Sequence, residues 1–262
     1  MNEIALEGGN LSEVYTDGKI VYKTATKYSK TIHRYLKHLE EKGIEFVPKS
    51  MGFDKTGREM LSFVSGETME NYPDVSEIEL KIQIIRKAAS MLRQLHDASV
   101  DFKCLDDDKW FLEYNGYLSK NVICHNDFAP YNVTFDKHIP VGIIDFDTVC
   151  PAPREWDLAY AIYRFVPLSK EVFDIKSGNY RDYDKGLDAQ ERKILINEFL
   201  ESYDISFDVK EIVIQRLESL VNLFDRECAK GNESFIKMKN EGHQLFYVRE
   251  VKFLKNNYSD WE

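Results

Sequence analysis

The chain has 262 residues, 43% of them hydrophobic and 13% aromatic, which suffices for a sizeable core in one large domain or two lobes. It has no run of about 18 apolar residues to span a bilayer, and a net charge of −10 lacks the basic face of a nucleic-acid binder. The charge is uneven: residues 1–100 carry 14 basic and 15 acidic side chains, residues 101–262 carry 21 and 30.

The opening MNEIALEGGN does not follow the basic, apolar, small-residue order of a signal peptide. Strand-like segments come first. Ile4-Ala5-Leu6 is followed by Gly8-Gly9-Asn10-Leu11-Ser12, then by Glu13-Val14-Tyr15, the hairpin signal Asp17-Gly18 and Lys19–Lys23. Residues 29–42 have helical apolar spacing at Ile32, Tyr35, Leu36 and Leu39 and stop at Gly43. A strand pair is expected around Asp54–Gly57, ending at Ser65-Gly66. Asn121–Cys124 and Val141–Ile144 read as short buried strands, and long helices are expected over 76–98, 187–203, 207–229 and 233–256. The expected class is α+β: a small β-rich lobe over 1–66 and a larger helical lobe over 67–262. Cys104, Cys124, Cys150 and Cys228 show no paired spacing and no Cys-x-x-Cys, as expected of buried reduced thiols in a cytoplasmic protein.

Chemistry concentrates between residues 125 and 147. Asp127 and Asn132 lie 5 positions apart and Asp145 follows Asn132 by 13, with short buried strands leading into Asp127 and Asp145. Phosphoryl transfer asks the protein for metal ligands that neutralise phosphate charge and a carboxylate that holds the attacking hydroxyl. Asp127 suits the carboxylate, chiefly as a positioning group because a free carboxylate is a weak base at neutral pH. Asn132 and Asp145 suit the metal ligands: magnesium takes hard oxygen donors, and a neutral amide adds no repulsion.

The stretch VICHNDFAPYNVTFDKHIPVGIIDFDTVCPAPREWDLAYA resembles the core of the aminoglycoside phosphotransferase family, antibiotic kinases with a protein-kinase-like bilobal fold. The resemblance is strongest over residues 121–165 and fades beyond 170. It implies ATP or GTP with Mg2+ as cofactors. Lys23 then takes the α- and β-phosphates, and the loop around Gly9, Asn10 and Ser12 offers backbone N–H groups to phosphate. The Ser62–Ser65 hinge, with Ser62, Phe63 and Val64, meets adenine. His125 packs beneath the catalytic loop, and Asp157 anchors that loop from below. Asp147 either stands behind the metal ligands or packs against the nucleotide loop, and His96 is expected to cap the end of its helix.

Two departures matter. A kinase fold pairs its lysine with a glutamate on the next helix, but the expected turn here carries His33 and Arg34. Glu40 or Glu41 reaches back, or His33 substitutes, or Lys23 has no ionic partner. In addition, only 12 positions separate Asp145 from Asp157, too few for a protein kinase's activation segment, and no Ala-Pro-Glu motif follows.

The leading expectation is therefore a kinase acting on a hydroxyl of a small cationic molecule, an aminoglycoside first. Glu155, Asp182 and Asp184 are candidates for the substrate pocket; a solvated acidic surface would give the same composition. The alternatives are a metabolic kinase of an amino alcohol, amino acid or sugar, and a nucleotide-binding scaffold without turnover. No nucleic-acid or membrane partner is expected, and oligomeric state is left open.

Overall fold

The computed structural model of the chain describes residues 3–5, 14–69 and 75–261. Gly9, Asn10 and Ser12, expected at the phosphates, lie outside the described residues.

The chain opens with β1 (Ile4–Ala5), β2 (Val14–Thr16), β3 (Ile20–Lys23), α1 (Ser29–Glu41), β4 (Ser50–Phe53) and β5 (Glu59–Ser62). The strands form an antiparallel sheet in the order β1-β2-β3-β5-β4. Local chemistry fixes its turns. Asp17 Oδ1 accepts the N–H groups of Lys19 and Ile20 at 3.0 and 2.8 Å, and Asp54 Oδ1 does the same for Thr56 and Arg58 at 2.8 and 2.9 Å. In α1 the buried residues Ser29, Ile32, His33, Leu36 and Leu39 make one helical stripe.

Next come β6 (Glu67–Thr68), α2 (Ile78–Ser99), β7 (Val122–Cys124), β8 (Val133–Asp136), β9 (Ile139–Ile143), β10 (Cys150–Ala152) and α3 (Arg154–Phe165). β6, β8 and β9 form a second antiparallel sheet, and β7 pairs with β10. The remainder is a hairpin, β11 (Glu171–Asp174) and β12 (Asn179–Asp182), followed by α4 (Lys185–Tyr203), α5 (Val209–Ala229), α6 (Glu233–Asn240) and α7 (His243–Asn257). The single helix expected over 233–256 is two. Gly242 sits at φ +94°, a left-handed conformation that ends a helical run, and the strong helix formers on either side hide that stop. The β11–β12 hairpin did not stand out in the sequence.

By packing, the chain divides into two compact units, Met1–Glu70 with Met91–Asp157 and Asn71–Ser90 with Leu158–Glu262. The expected lobe boundary at residue 66 is a different partition, because the first unit joins the N-terminal sheet to the segment containing β7 through β10. The second unit is mainly helical, with Leu195, Phe199, Val213, Leu217 and Leu254 buried. In it the Arg192 guanidinium lies 4.4 Å from the Tyr183 ring and 4.6 Å from that of Trp261. None of the four cysteines is in a disulfide; Cys124 and Cys150 are buried, whereas Cys104 is exposed. No helix among the described residues is long and apolar enough to cross a membrane.

Gly66 leads into β6 at φ +120°, where an added Cβ would stand 2.9 Å from both Phe135 O and Thr134 Cβ. Gly66→Ala is therefore expected to cost about 1–3 kcal/mol of stability. Urea denaturation checks this: an unchanged midpoint would show that the backbone there relaxes freely.

Candidate active site

β7 is buried along its whole length and delivers the chain to His125-Asn126-Asp127. Asp157, in the first turn of α3, holds this loop. Its Oδ2 accepts the His125 N–H at 2.6 Å and faces His96 Nε2 at 3.0 Å, while its Oδ1 accepts the Asn126 N–H at 2.8 Å. Asp157 and His96 are both fully buried. Burial pushes the Asp157 pKa up, but the His96 hydrogen bond and charge, with His125, outweigh it and hold the pKa below the ordinary value. His96 is thus no helix cap. It lies inside α2, three residues before the end, and its ring turns inward to the carboxylate.

Asn126 adopts φ +65° and ties the loop down through its side chain, donating to Cys124 O at 3.2 Å and Thr148 O at 2.9 Å. The His125 ring is enclosed, with Nδ1 3.3 Å from the Asp127 N–H and Nε2 3.0 Å from Ile144 O. An acceptor at Nδ1 and a donor at Nε2 define a neutral imidazole. Burial lowers its pKa in the same sense, against the charges of Asp157 and Asp127.

Asp127 is gripped at both oxygens. Tyr131 Oη donates to Oδ1 at 2.6 Å and Asn132 Nδ2 donates to Oδ2 at 2.8 Å. The 3-10 turn Pro130–Asn132 brings Asn132 back over the loop, where its amide N–H also reaches Asp127 O at 3.0 Å. With the amide nitrogen so used, the amide oxygen is the atom left for a cation. Tyr131 was not foreseen; its place four residues after Asp127, beside Asn132, was the available signal.

Ile144 N donates to Asn132 O at 2.9 Å, which sets Asp145 beside this pair. Asp145 has φ +62° and opens the 3-10 turn Phe146–Thr148. Its carboxylate is open to solvent yet crowded by protein. Crowding and Asp147 raise its pKa, Lys23 opposes them, and Asp127 adds to the rise. Lys23, 8% exposed, forms an ion pair with Asp147. Asp127, Asn132, Asp145, Asp147 and Lys23 are therefore one connected group. Carboxylate and amide oxygens on Asp145 and Asn132 are the hard donors that Mg2+ requires, so the residues present fit that ion.

On the strand side, Glu40 pairs with Lys49 at 3.0 Å instead of reaching back. His33 faces Glu59 Oε2 at 3.1 Å, and Glu59 lies opposite Lys23 in the β3–β5 register. At the hinge, Ser62 and Phe63 spend their N–H groups on Lys49 O and Lys19 O at 3.0 and 2.8 Å, ahead of Val64. The candidate substrate residues have local surroundings of their own. Glu155 stands in the first turn of α3, Asp182 pairs with Lys170 at 2.7 Å, and Asp184 caps α4 by accepting from Leu187 N.

The sequence profile of the phosphotransferase enzyme family (APH) matches residues 118–187. Over 177 residues the chain is 33% identical to the trifolitoxin immunity protein of Rhizobium leguminosarum bv. trifolii, covering 66% of this chain and 64% of that protein. The chain thus spans just under two thirds of the length of this curated relative. The ADP-bound aminoglycoside phosphotransferase APH(2'')-Ib superposes with a TM-score of 0.60 at 14% identity, over 100% of this chain and 94% of that one. A choline/ethanolamine kinase family protein from Mesorhizobium loti gives a TM-score of 0.54 at 12% identity, over 97% and 92%. The chain has the α+β, protein-kinase-like fold of the aminoglycoside phosphotransferases, and its residues 118–187 resemble the phosphotransferase enzyme family.

Removing Asp157 would leave His96 and two backbone N–H groups buried without their acceptor. Asp157→Ala is expected to cost about 3–5 kcal/mol, read from chemical denaturation. Because its folded pKa is lowered, Asp157 contributes fully above the ordinary carboxylate value and loses that contribution as pH falls below it. The stability gap between wild type and Asp157→Asn should accordingly hold steady from about pH 8 to 5 and narrow below about 4. A gap independent of pH down to the acid limit would contradict this.

Proposed function

We propose that this chain is a small-molecule kinase that transfers the γ-phosphate of ATP or GTP to a hydroxyl of a cationic acceptor, an aminoglycoside being first choice. The observation that carries the reading is the double grip on Asp127 by Tyr131 and Asn132, next to Asp145. A carboxylate fixed at both oxygens loses little freedom on meeting a substrate, which favours alignment of an acceptor hydroxyl. Asp127 would orient the attacking oxygen along the line of the breaking phosphorus–oxygen bond and take its proton late in the transfer. Asn132 and Asp145 would hold Mg2+, which when bound offsets the negative charge of the phosphate oxygens.

Lys23 would turn its ammonium to the α- and β-phosphates, with Asp147 as its neighbour. Adenine would meet the backbone of Val64 and Ser65, since the N–H groups of Ser62 and Phe63 are used within the sheet. His125 and Asp157 would act through shape, keeping the loop in register. In this reading residues 1–66 hold the nucleotide, residues 67–262 carry the catalytic loop and the acceptor pocket, and Glu155, Asp182 and Asp184 contribute negative charge to that pocket. The relative named for immunity supports an antimicrobial compound as acceptor. The likeness to a choline/ethanolamine kinase family protein supports the second reading, a metabolic amino alcohol.

ADP or GDP release across aminoglycosides, macrolides, choline and simple sugars, with both nucleotides, tests the reading. Asp127→Asn should lower turnover by roughly 10²–10⁴ while leaving nucleotide affinity near wild type. Near wild-type transfer by that variant would remove Asp127 from its role. Nucleotide binding without transfer to any hydroxyl would point to a scaffold.

A further inference from the structure

Lys23 and Glu59 are direct partners across the antiparallel strands β3 and β5, so their side chains rise from the same face of the sheet. Both are buried, Glu59 to 1% exposure. Its Oε1 accepts from Ser29 Oγ at 2.6 Å, and its Oε2 lies 3.1 Å from His33 Nε2. The other ring nitrogen of His33 is 2.7 Å from Ser50 Oγ. Ser29 and His33 both belong to α1, so the carboxylate is bolted to that helix at each oxygen.

A buried carboxylate is costly unless charge and hydrogen bonds compensate it. Burial pushes the Glu59 pKa up, yet His33, the Lys23 charge and Ser29 together bring it below the ordinary value. Burial likewise lowers that of Lys23, and Asp147, Asp145 and Glu59 more than restore it. The two groups sustain one another's ionised forms.

The helix turn at which a kinase-like fold supplies the lysine's glutamate carries His33 instead, and the ring of His33 is directed at Glu59. We propose that Glu59 is the positioning carboxylate of Lys23, a strand-borne glutamate tied to α1 through His33 and Ser29 in place of a helix glutamate. Asp147 pairs with the ammonium directly, and Glu59 adds its charge from the neighbouring strand. Asp147 is 29% exposed at its side chain, whereas Glu59 is locked beneath the helix. When a phosphate draws the ammonium away from Asp147, Glu59 stays as the fixed countercharge. The position of α1 is thereby coupled to the lysine, as it is where the glutamate sits on the helix itself.

The proposal rests on the kinase reading, and its test separates the two. Glu59→Gln keeps the shape and removes the charge. Two quantities are measured on the full chain: affinity for a fluorescent ATP analogue with Mg2+, and the rate at which an amine-acylating reagent modifies Lys23 at fixed pH, followed by peptide mass spectrometry. The second needs no nucleotide. Glu59→Gln should weaken the analogue by about tenfold and speed Lys23 acylation several-fold, because a buried lysine that loses one of its countercharges is deprotonated more often. His33→Gln should shift both in the same direction by less. If wild type fails to bind nucleotide but Glu59→Gln still speeds acylation, the kinase reading falls and the Lys23–Glu59 coupling stands. If wild type binds nucleotide and the variant matches it in both measurements, the proposal is overturned. Should Glu59→Gln fail to fold, Ser29→Ala and His33→Gln carry the same two readouts, and unchanged values in both overturn it.

Discussion

The site depends on one buried carboxylate. Asp157 accepts the N–H groups of two consecutive loop residues and meets the ring of His96 from α2. Without it, the segment between β7 and Asp127 would carry buried backbone donors with no acceptor, which proteins rarely tolerate. The arrangement fixes the loop before any substrate arrives. Asp127 stands at the end of a rigid support, and its own two oxygens are then fixed by Tyr131 and Asn132.

A second buried carboxylate organises the N-terminal sheet. Glu59 joins the sheet to α1 much as Asp157 joins the loop to α2 and α3. In each case a histidine on a helix faces an acid that meets it from another element, and serine hydroxyls or backbone N–H groups supply the remaining donors. Such networks hold geometry only when every member is satisfied.

How much of this was legible from the sequence follows from the range of each signal. Asp127 and Asp145 stood out because short apolar runs fixed the strands leading into them, and Asn132 because it follows Asp127 by five positions. The turns at Asp17-Gly18 and Asp54–Gly57 were legible because their chemistry is local. Glu59 was not, since its link to Lys23 spans 36 positions and depends on a strand register that the intervening loop sets. The partnership of His96 with Asp157 was hidden for the same reason: nothing near either residue announces the other. The break at Gly242 was missed because one glycine among good helix formers barely alters the periodicity. The β11–β12 hairpin was missed because its sides are largely polar and solvent-facing.

The left-handed backbone at Asn126 and Asp145 bears on how these positions can vary over evolution. Asparagine, aspartate and glycine enter that conformation with least strain, and most other side chains would cost about 1–2 kcal/mol there before any chemistry is considered. For Asp145 that preference coincides with a candidate ligand role, so the two pressures act together. For Asn126 the torsion comes together with side-chain bonds to Cys124 O, Thr148 O and Cys150 Sγ, all within the protein. A mutational scan would rank both positions as intolerant, yet Asn126→Gly, which loses the amide but keeps the torsion, should survive where Asn126→Leu does not. Intolerance at that position would then be a record of loop geometry, and no evidence of contact with substrate.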